Sequence, residues 1–279
     1  MRPDALVIRA MLLVAATAVL SGPSARAQAA PTQNGVVVTF LANEGVMLSS
    51  GRSKVLIDAL FLKYERGYAV PADSTQAALQ NARAPFNTVD VILVTHRHGD
   101  HFHPAPVVAH LRANPRAKLL TSQQVIDSVR GHLAAGGALT PRLMARTMAP
   151  GTRRREVVNG VTVELLGLPH GGSRHRHVEH LGYVVELGGR RVLHVGDTDI
   201  SETAFAPFRL DTARIDVALL PSWMVLDDDG RRVIQRWIRP RQVVAFHVGE
   251  GEGERTAREA TAALPDAVTF FRSLDTRRW

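Results

Sequence analysis

Apolar side chains open the chain's folded part in short, closely spaced blocks, at residues 36–41, 46–48 and 54–58, with Gly51 as the turn residue between the last two. Short apolar blocks separated by turns predict a small antiparallel start. Residues 90–95 differ. Val91, Ile92, Leu93 and Val94 follow one another with no polar alternation, the pattern of a strand buried on both faces. Helical spacing appears at 73–84, at 104–113 with prolines in its first turn, at 254–264, and from Thr121 or Ser122 as a cap to about residue 133. Further strands are predicted at 118–121, 161–166, 215–220, 242–247 and 267–271, and residues 181–187 and 191–195 form a hairpin around Gly188 and Gly189. Gly136-Gly137 and Pro150-Gly151 break the chain. No repeat and no Pro-, Gly- or Ser-rich linker divides it. The pattern predicts one domain, residues 35–279, of two packed sheets with helices outside.

The first 27 residues follow another logic. Arg2 and Arg9 precede an apolar run over residues 10–20, and Ala25-Arg26-Ala27 supplies small residues at a cleavage position. A basic start, a short apolar core and an A-x-A site predict an export signal cut after Ala27. Eleven apolar residues fall short of the roughly 20 that span a bilayer. The mature protein is therefore expected in the periplasm or outside the cell, with no stable membrane anchor. Residues 28–34 read as a disordered leader.

The chain of 279 residues is 45% hydrophobic, enough for a sizeable core, and contains no cysteine. Disulfides, thiolate ligands and thiol chemistry are thereby excluded, and any metal must be held by His and carboxylate. The formal charge is +8. Removing residues 1–27, which hold three Arg and one Asp, leaves +6. Such a surface attracts anionic small molecules. The arginines are scattered and not interleaved with aromatics, so no nucleic-acid partner is expected.

One stretch concentrates chemistry. Residues 95–103 read THRHGDHFH and hold four of the twelve histidines directly after the apolar run. Residues two apart on extended backbone point the same way, so His96 and His98 can grip one ion. Asp100 and His101, beyond the bend allowed by Gly99, can face a second. Three other predicted strands end in a similar group: His170 after 161–166, Asp197 after 191–195, and His247 at the end of 242–247. Strand ends that meet on one edge make a pocket of rigidly held ligands. The carboxylate of Asp197 has two oxygens and could bridge the ions. His103, His110, His132 and His194 are read as structural, with His194 and Asp199 near enough to Asp197 in sequence to support it.

From residue 36 to 271 the chain resembles the metallo-β-lactamase superfamily, and within it the lactonase-like, metal-dependent hydrolases. The resemblance rests on THRHGDH, on LPH at 168–170, on VGDTD at 195–199, on AFHVG at 245–249, and on the opening segment VTFLANEGVMLSSGRSKVLIDALF. It implies an α+β fold, a four-layer αββα sandwich, with two divalent ions on one edge; zinc is the first choice, manganese or iron the alternatives. It also implies that His96, His98 and His170 bind one ion, that Asp100, His101 and His247 bind the other, and that Asp197 bridges. True zinc β-lactamases lack that bridging aspartate, which directs the reading away from antibiotics. Electron-transfer members replace the second motif histidine by Glu, whereas His98 is kept here.

Such a pair of ions lowers the pKa of a shared water from about 16 towards 7. The hydroxide then attacks a carbonyl carbon or a phosphorus, and Asp100 either orients it or only ligates. Arg174 and His175, in the loop after Gly171 and Gly172, are candidates to contact an anionic group on a small-molecule substrate; His180 and Trp223 are further candidates for the pocket wall. Asp227-Asp228-Asp229-Gly230 reads as a surface turn. Three functions stay open: hydrolysis of an ester, lactone or amide; cleavage of a phosphodiester in a phospholipid or nucleotide; and metal binding without catalysis.

Overall fold

A computed structural model describes residues 35–62, 67–133 and 137–279. The predicted export signal and leader, residues 1–34, lie outside the described residues. Among the described residues, fourteen strands form two seven-stranded sheets. The first sheet contains β1 (Val37–Ala42), β2 (Gly45–Ser50), β3 (Ser53–Ile57), β4 (Val91–Val94), β5 (Lys118–Thr121) and β6 (Leu143–Ala145). The second contains β7 (Arg153–Val158), β8 (Val161–Gly167), β9 (Leu181–Leu187), β10 (Arg190–His194), β11 (Val217–Pro221), β12 (Gln242–Phe246) and β13 (Val268–Thr269). The last strand, β14 (Thr276–Arg278), returns to the first sheet and pairs antiparallel with β1. Each sheet is antiparallel in one half and parallel in the other.

The alternation of side chains along the strands explains the layers. Val55 and Ile57 of β3, and Val91 and Leu93 of β4, point to the core between the sheets, where they meet Val163, Tyr183, Val217 and Phe246. Leu56, Ile92 and Val94 point the other way, beneath α1 (Asp73–Gln80), α2 (Pro104–Ala113) and α3 (Gln123–Gly131). In the second sheet Ala218, Leu220 and Ala245 face outwards to α4 (Glu202–Phe205), α5 (Ser222–Leu226), α6 (Asp228–Val233) and α7 (Gly253–Ala263). The result is the expected α+β sandwich of four layers, αββα. The parallel strands are covered on both faces, which is why β4 reads as an unbroken apolar run. Among the described residues no helix is long and apolar enough to cross a membrane.

Several boundaries move. The helix expected at 73–84 stops at Gln80. Asp227 to Gly230 is no surface turn: Asp227 accepts the backbone N–H groups of Asp229 and Gly230 and caps α6. The strand expected at 267–271 is two residues long, and β14 beyond it was not expected at all. Strands β6 and β7 were also missed. β7 carries Arg153, Arg154 and Arg155, exposed on a sheet edge, and so hides its apolar alternation.

Candidate metal centre

The parallel strands β3 and β4, and β10 and β12, end at one edge, and β8, antiparallel to β9 and so running in the same direction as β10, ends there too. Residues 169–171 and 197–199 then pair briefly: Gly171 N–H donates to the Asp197 carbonyl at 2.7 Å, and Asp199 N–H to the Pro169 carbonyl at 3.0 Å. This short ladder sets His170 beside Asp197. His247 adopts a left-handed backbone with φ 53°. Its N–H is held by the Asn43 carbonyl, and its own carbonyl accepts the Ser222 hydroxyl.

The seven expected ligand side chains come together in two groups that share Asp197: His96, His98, His170 and Asp197, then Asp100, His101, Asp197 and His247. In the first, His98 Nδ1 lies 2.9 Å from His96 Nε2 and 3.1 Å from His170 Nε2. Asp197 Oδ2 lies 3.9 and 3.8 Å from those two Nε2 atoms. In the second, Asp197 Oδ1 lies 3.3 Å from both His101 Nε2 and His247 Nε2, and Asp100 Oδ2 lies 3.7 and 3.6 Å from the same pair. Donors on a tetrahedral zinc ion with bonds near 2.1 Å sit about 3.4 Å apart, so both groups have the right spread.

Hydrogen bonds behind the rings decide which nitrogens face inwards. The Thr95 hydroxyl donates to Asp58 Oδ2 at 2.6 Å, so Thr95 Oγ1 is left to accept from His96 Nδ1 at 3.0 Å. His170 Nδ1–H donates to the Gly171 carbonyl at 2.7 Å, and His101 Nδ1–H to Asp58 Oδ2 at 2.9 Å. In each ring a proton is thereby placed on Nδ1, which turns Nε2, the nitrogen that would bind an ion, towards the cluster. His101 Nε2, His247 Nε2 and Asp197 Oδ1 are buried and have no hydrogen-bond partner. Buried polar atoms are rarely left so; a cation between them satisfies all three.

Electrostatics agree for the first group. Burial, then the neighbouring imidazoles, push His98 down to about 4 and hold His96 and His170 below their ordinary range. They stay neutral, the form that donates to a metal. In the second group, burial disfavours charge on His101, but Asp197, then Asp58, outweigh it and raise its pKa well above the ordinary range, so that an ion bound there would take the place of a proton. Burial disfavours charge on Asp197, but His101 and His247 outweigh it and keep the carboxylate ionised.

A family model described as the Beta-lactamase superfamily domain matches residues 53–278. The chain belongs to the metallo-β-lactamase superfamily. A UPF0173 metal-dependent hydrolase of Polaromonas sp. is 29% identical to it over 260 residues, 87% of this chain and 88% of that one. Igni18, a metallo hydrolase of Ignicoccus hospitalis, superposes with a TM-score of 0.61 at 16% identity, covering 88% of this chain and 98% of its own. The metallo-β-lactamase fold protein YhfI of Bacillus subtilis gives 0.61 at 13% identity, over 88% and 100%. This superfamily member is a metal-dependent hydrolase.

Arg174, His175 and Trp223 line a cavity of about 520 Å³ beside His170 and Asp197. The His175 ring lies 4.9 Å from that of His98 and 4.7 Å from that of His170. Trp223 meets His247 edge-on at 4.8 Å. His180 does not reach this cavity. It is buried behind His96, 5.3 Å between rings, with neither nitrogen partnered, and it borders a separate cavity on the other side of the loop. His110 and His194 are structural: they donate to the carbonyls of Leu79 and Glu44. His103 accepts from Ala105 N–H as the cap of α2.

Three groups escaped the sequence reading. Asp58 follows β3 at the same edge and anchors Thr95 and His101; the strand-end rule that found Asp197 applies to it equally. Glu44, in the β1–β2 turn, is wholly buried 3.9 Å from His101 Nδ1, and burial followed by Asp197 keeps it protonated. Tyr68 sits edge-on to His247 at 4.4 Å, and no local pattern marks it. Gly196 matters for another reason. Its φ is 60°, and a Cβ there would lie 2.7 Å from His180 Nε2 and 2.8 Å from Thr95, so only glycine turns the chain into Asp197.

Proposed function

We propose that the protein is an exported hydrolase that holds two divalent ions, zinc in first place, and cleaves an ester, lactone or amide of a small molecule. The carrying observation is Asp197, whose two oxygens each face a separate group of imidazole Nε2 atoms. Two ions so placed supply a Lewis acid for the carbonyl oxygen and a water that deprotonates near neutral pH. The chain's own residues do the rest. His96, His98 and His170 hold one centre, and Asp100, His101 and His247 the other. Asp58 fixes the His101 and His96 rings through the bonds described above. Asn43 Nδ2 donates to the Asp100 carbonyl at 3.1 Å and to its Oδ2 at 3.4 Å, which orients Asp100 to align the attacking water and take its proton. The carbonyl to be attacked enters through the cavity bounded by His170, Asp197 and Trp223. Export rests on the sequence of residues 1–27.

Elemental analysis of the purified mature protein and of His98→Ala tests the metal centre. The expected result is about two ions per chain, with a clear loss in the variant. Less than one ion after reconstitution with zinc, manganese or iron overturns the reading. A lactone and ester panel set against bis(p-nitrophenyl) phosphate then separates carbonyl from phosphodiester chemistry.

A further inference from the structure

The cavity beside the metal centre is lined by both charged and apolar side chains. Arg174 Nε–H donates to His175 Nε2 at 2.9 Å, and the His175 ring packs on His170 and His98. The guanidinium is thereby tethered within a few side chains of the ligand cluster. It makes no ion pair with any described residue. Some surface arginines are neutralised, as Arg146 and Arg154 are by Glu156, Arg155 by Glu186 and Arg236 by Glu202, while others, Arg97 and Arg176 among them, also lack an ion pair among the described residues. What sets Arg174 apart is its tether to His175 beside the ligand cluster, and its two terminal nitrogens suit an oxyanion.

The rest of the lining mixes the apolar Trp223 and Ile200 with Thr198 and Asp199. Trp223 is half-buried, fixed edge-on against His247, and with Ile200 it borders the same cavity. A volume of about 520 Å³ admits one small organic molecule. The loop that carries Arg174 is tied at its far end: Gln124 N–H donates to Glu179 Oε2 at 2.9 Å, Gln124 Oε1 accepts Glu179 N–H at 3.0 Å, and Gln124 Nε2 donates to the His177 carbonyl at 2.8 Å. At its near end Gly171 N–H is held by Asp197. The arginine wall is thus built on a supported loop.

We propose that the substrate carries an anionic group seated on Arg174 and an apolar, preferably aromatic, arm laid against Trp223 and Ile200, with the bond to be cut at the His170–Asp197 end. This names the substrate class for the hydrolase reading above and rests on it. A non-reacting probe tests it apart from turnover. Calorimetric titration of the metal-loaded protein compares 3-phenylpropane-1-sulfonate, a weak metal ligand, with the neutral 3-phenylpropan-1-ol. The wild type is expected to bind the sulfonate about tenfold more tightly. Arg174→Gln reduces that preference to below about threefold, and Arg174→Lys restores part of it. Trp223→Ala weakens both probes about tenfold and keeps the preference. Equal binding of the two probes by the wild type, a preference that survives in Arg174→Gln, or no binding of either overturns the proposal. A wild type that binds the sulfonate as expected and hydrolyses no ester, lactone or amide leaves this subsite standing and removes the hydrolase reading instead.

Discussion

His110 lies within α2, buried, and its Nδ1–H is taken by the Leu79 carbonyl of α1. Burial lowers its pKa below the ordinary 6.5, and the bond to Leu79 only partly offsets this. Between the two values the unfolded chain binds more protons than the folded one, so this group's stability contribution falls as pH drops below about 6.5. Thermal midpoints measured between about pH 7 and pH 5 are expected to fall more steeply for the wild type than for His110→Gln. Equal slopes mean that His110 is protonated in the fold, against its burial. The same residue scale explains the site. Three of the five ligand rings are each aimed by one atom behind them: Thr95 Oγ1 for His96, the Gly171 carbonyl for His170, Asp58 for His101.

At the scale of elements, the loop from His170 to His180 owes its position to α3. Gln124 stands in the first turn of that helix, where the unpaired N–H groups and the dipole favour the Glu179 carboxylate. Gln124→Ala removes both side-chain bonds and keeps a good helix former. At about 1 kcal/mol for the two bonds together, KM is expected to rise roughly fivefold, with kcat changed less than about twofold. Steady-state kinetics on any hydrolysed panel substrate decides the point. A loss confined to kcat shows that the loop acts on the chemistry and not on binding. Strand β4 is the other decisive element. Its neighbours β3 and β5 are both parallel to it, and both of its faces are covered, so the segment that follows it starts from an immobile support.

The whole molecule closes around the centre. Ligands arrive from both sheets: His96, His98, Asp100 and His101 from the first, His170, Asp197 and His247 from the second. Ions held between the sheets therefore bind the folded state and not the unfolded one. At a free metal concentration about a thousand times Kd, one ion contributes about 4 kcal/mol. For a domain of this size that is about 10 °C in midpoint. Treatment with a strong chelator is expected to lower the melting temperature by about that much, and added zinc to restore it. Scanning fluorimetry that shows no shift on chelation excludes ions as a link between the sheets.

Much of this was legible in the amino-acid order. The unbroken run Val91 to Val94, the spacing HRHGDH and the lack of cysteine already implied a buried strand, an adjoining ion site and its ligand types. These are local properties, set by side-chain chemistry and by the periodicity of neighbouring residues. What local order does not carry is pairing at a distance. Strand β14 is three exposed residues, Thr276 to Arg278, and becomes a strand only because β1 offers its free edge. β7 holds three arginines whose strand character depends on β8 and on glutamates in β8 and β9. Asp58 supports a histidine 43 residues away, and Glu44 lies against that same ring from a third segment. The tertiary structure alone decided these, because a hydrogen bond or a buried charge is defined by its partner, and here the partners meet only when the two sheets close.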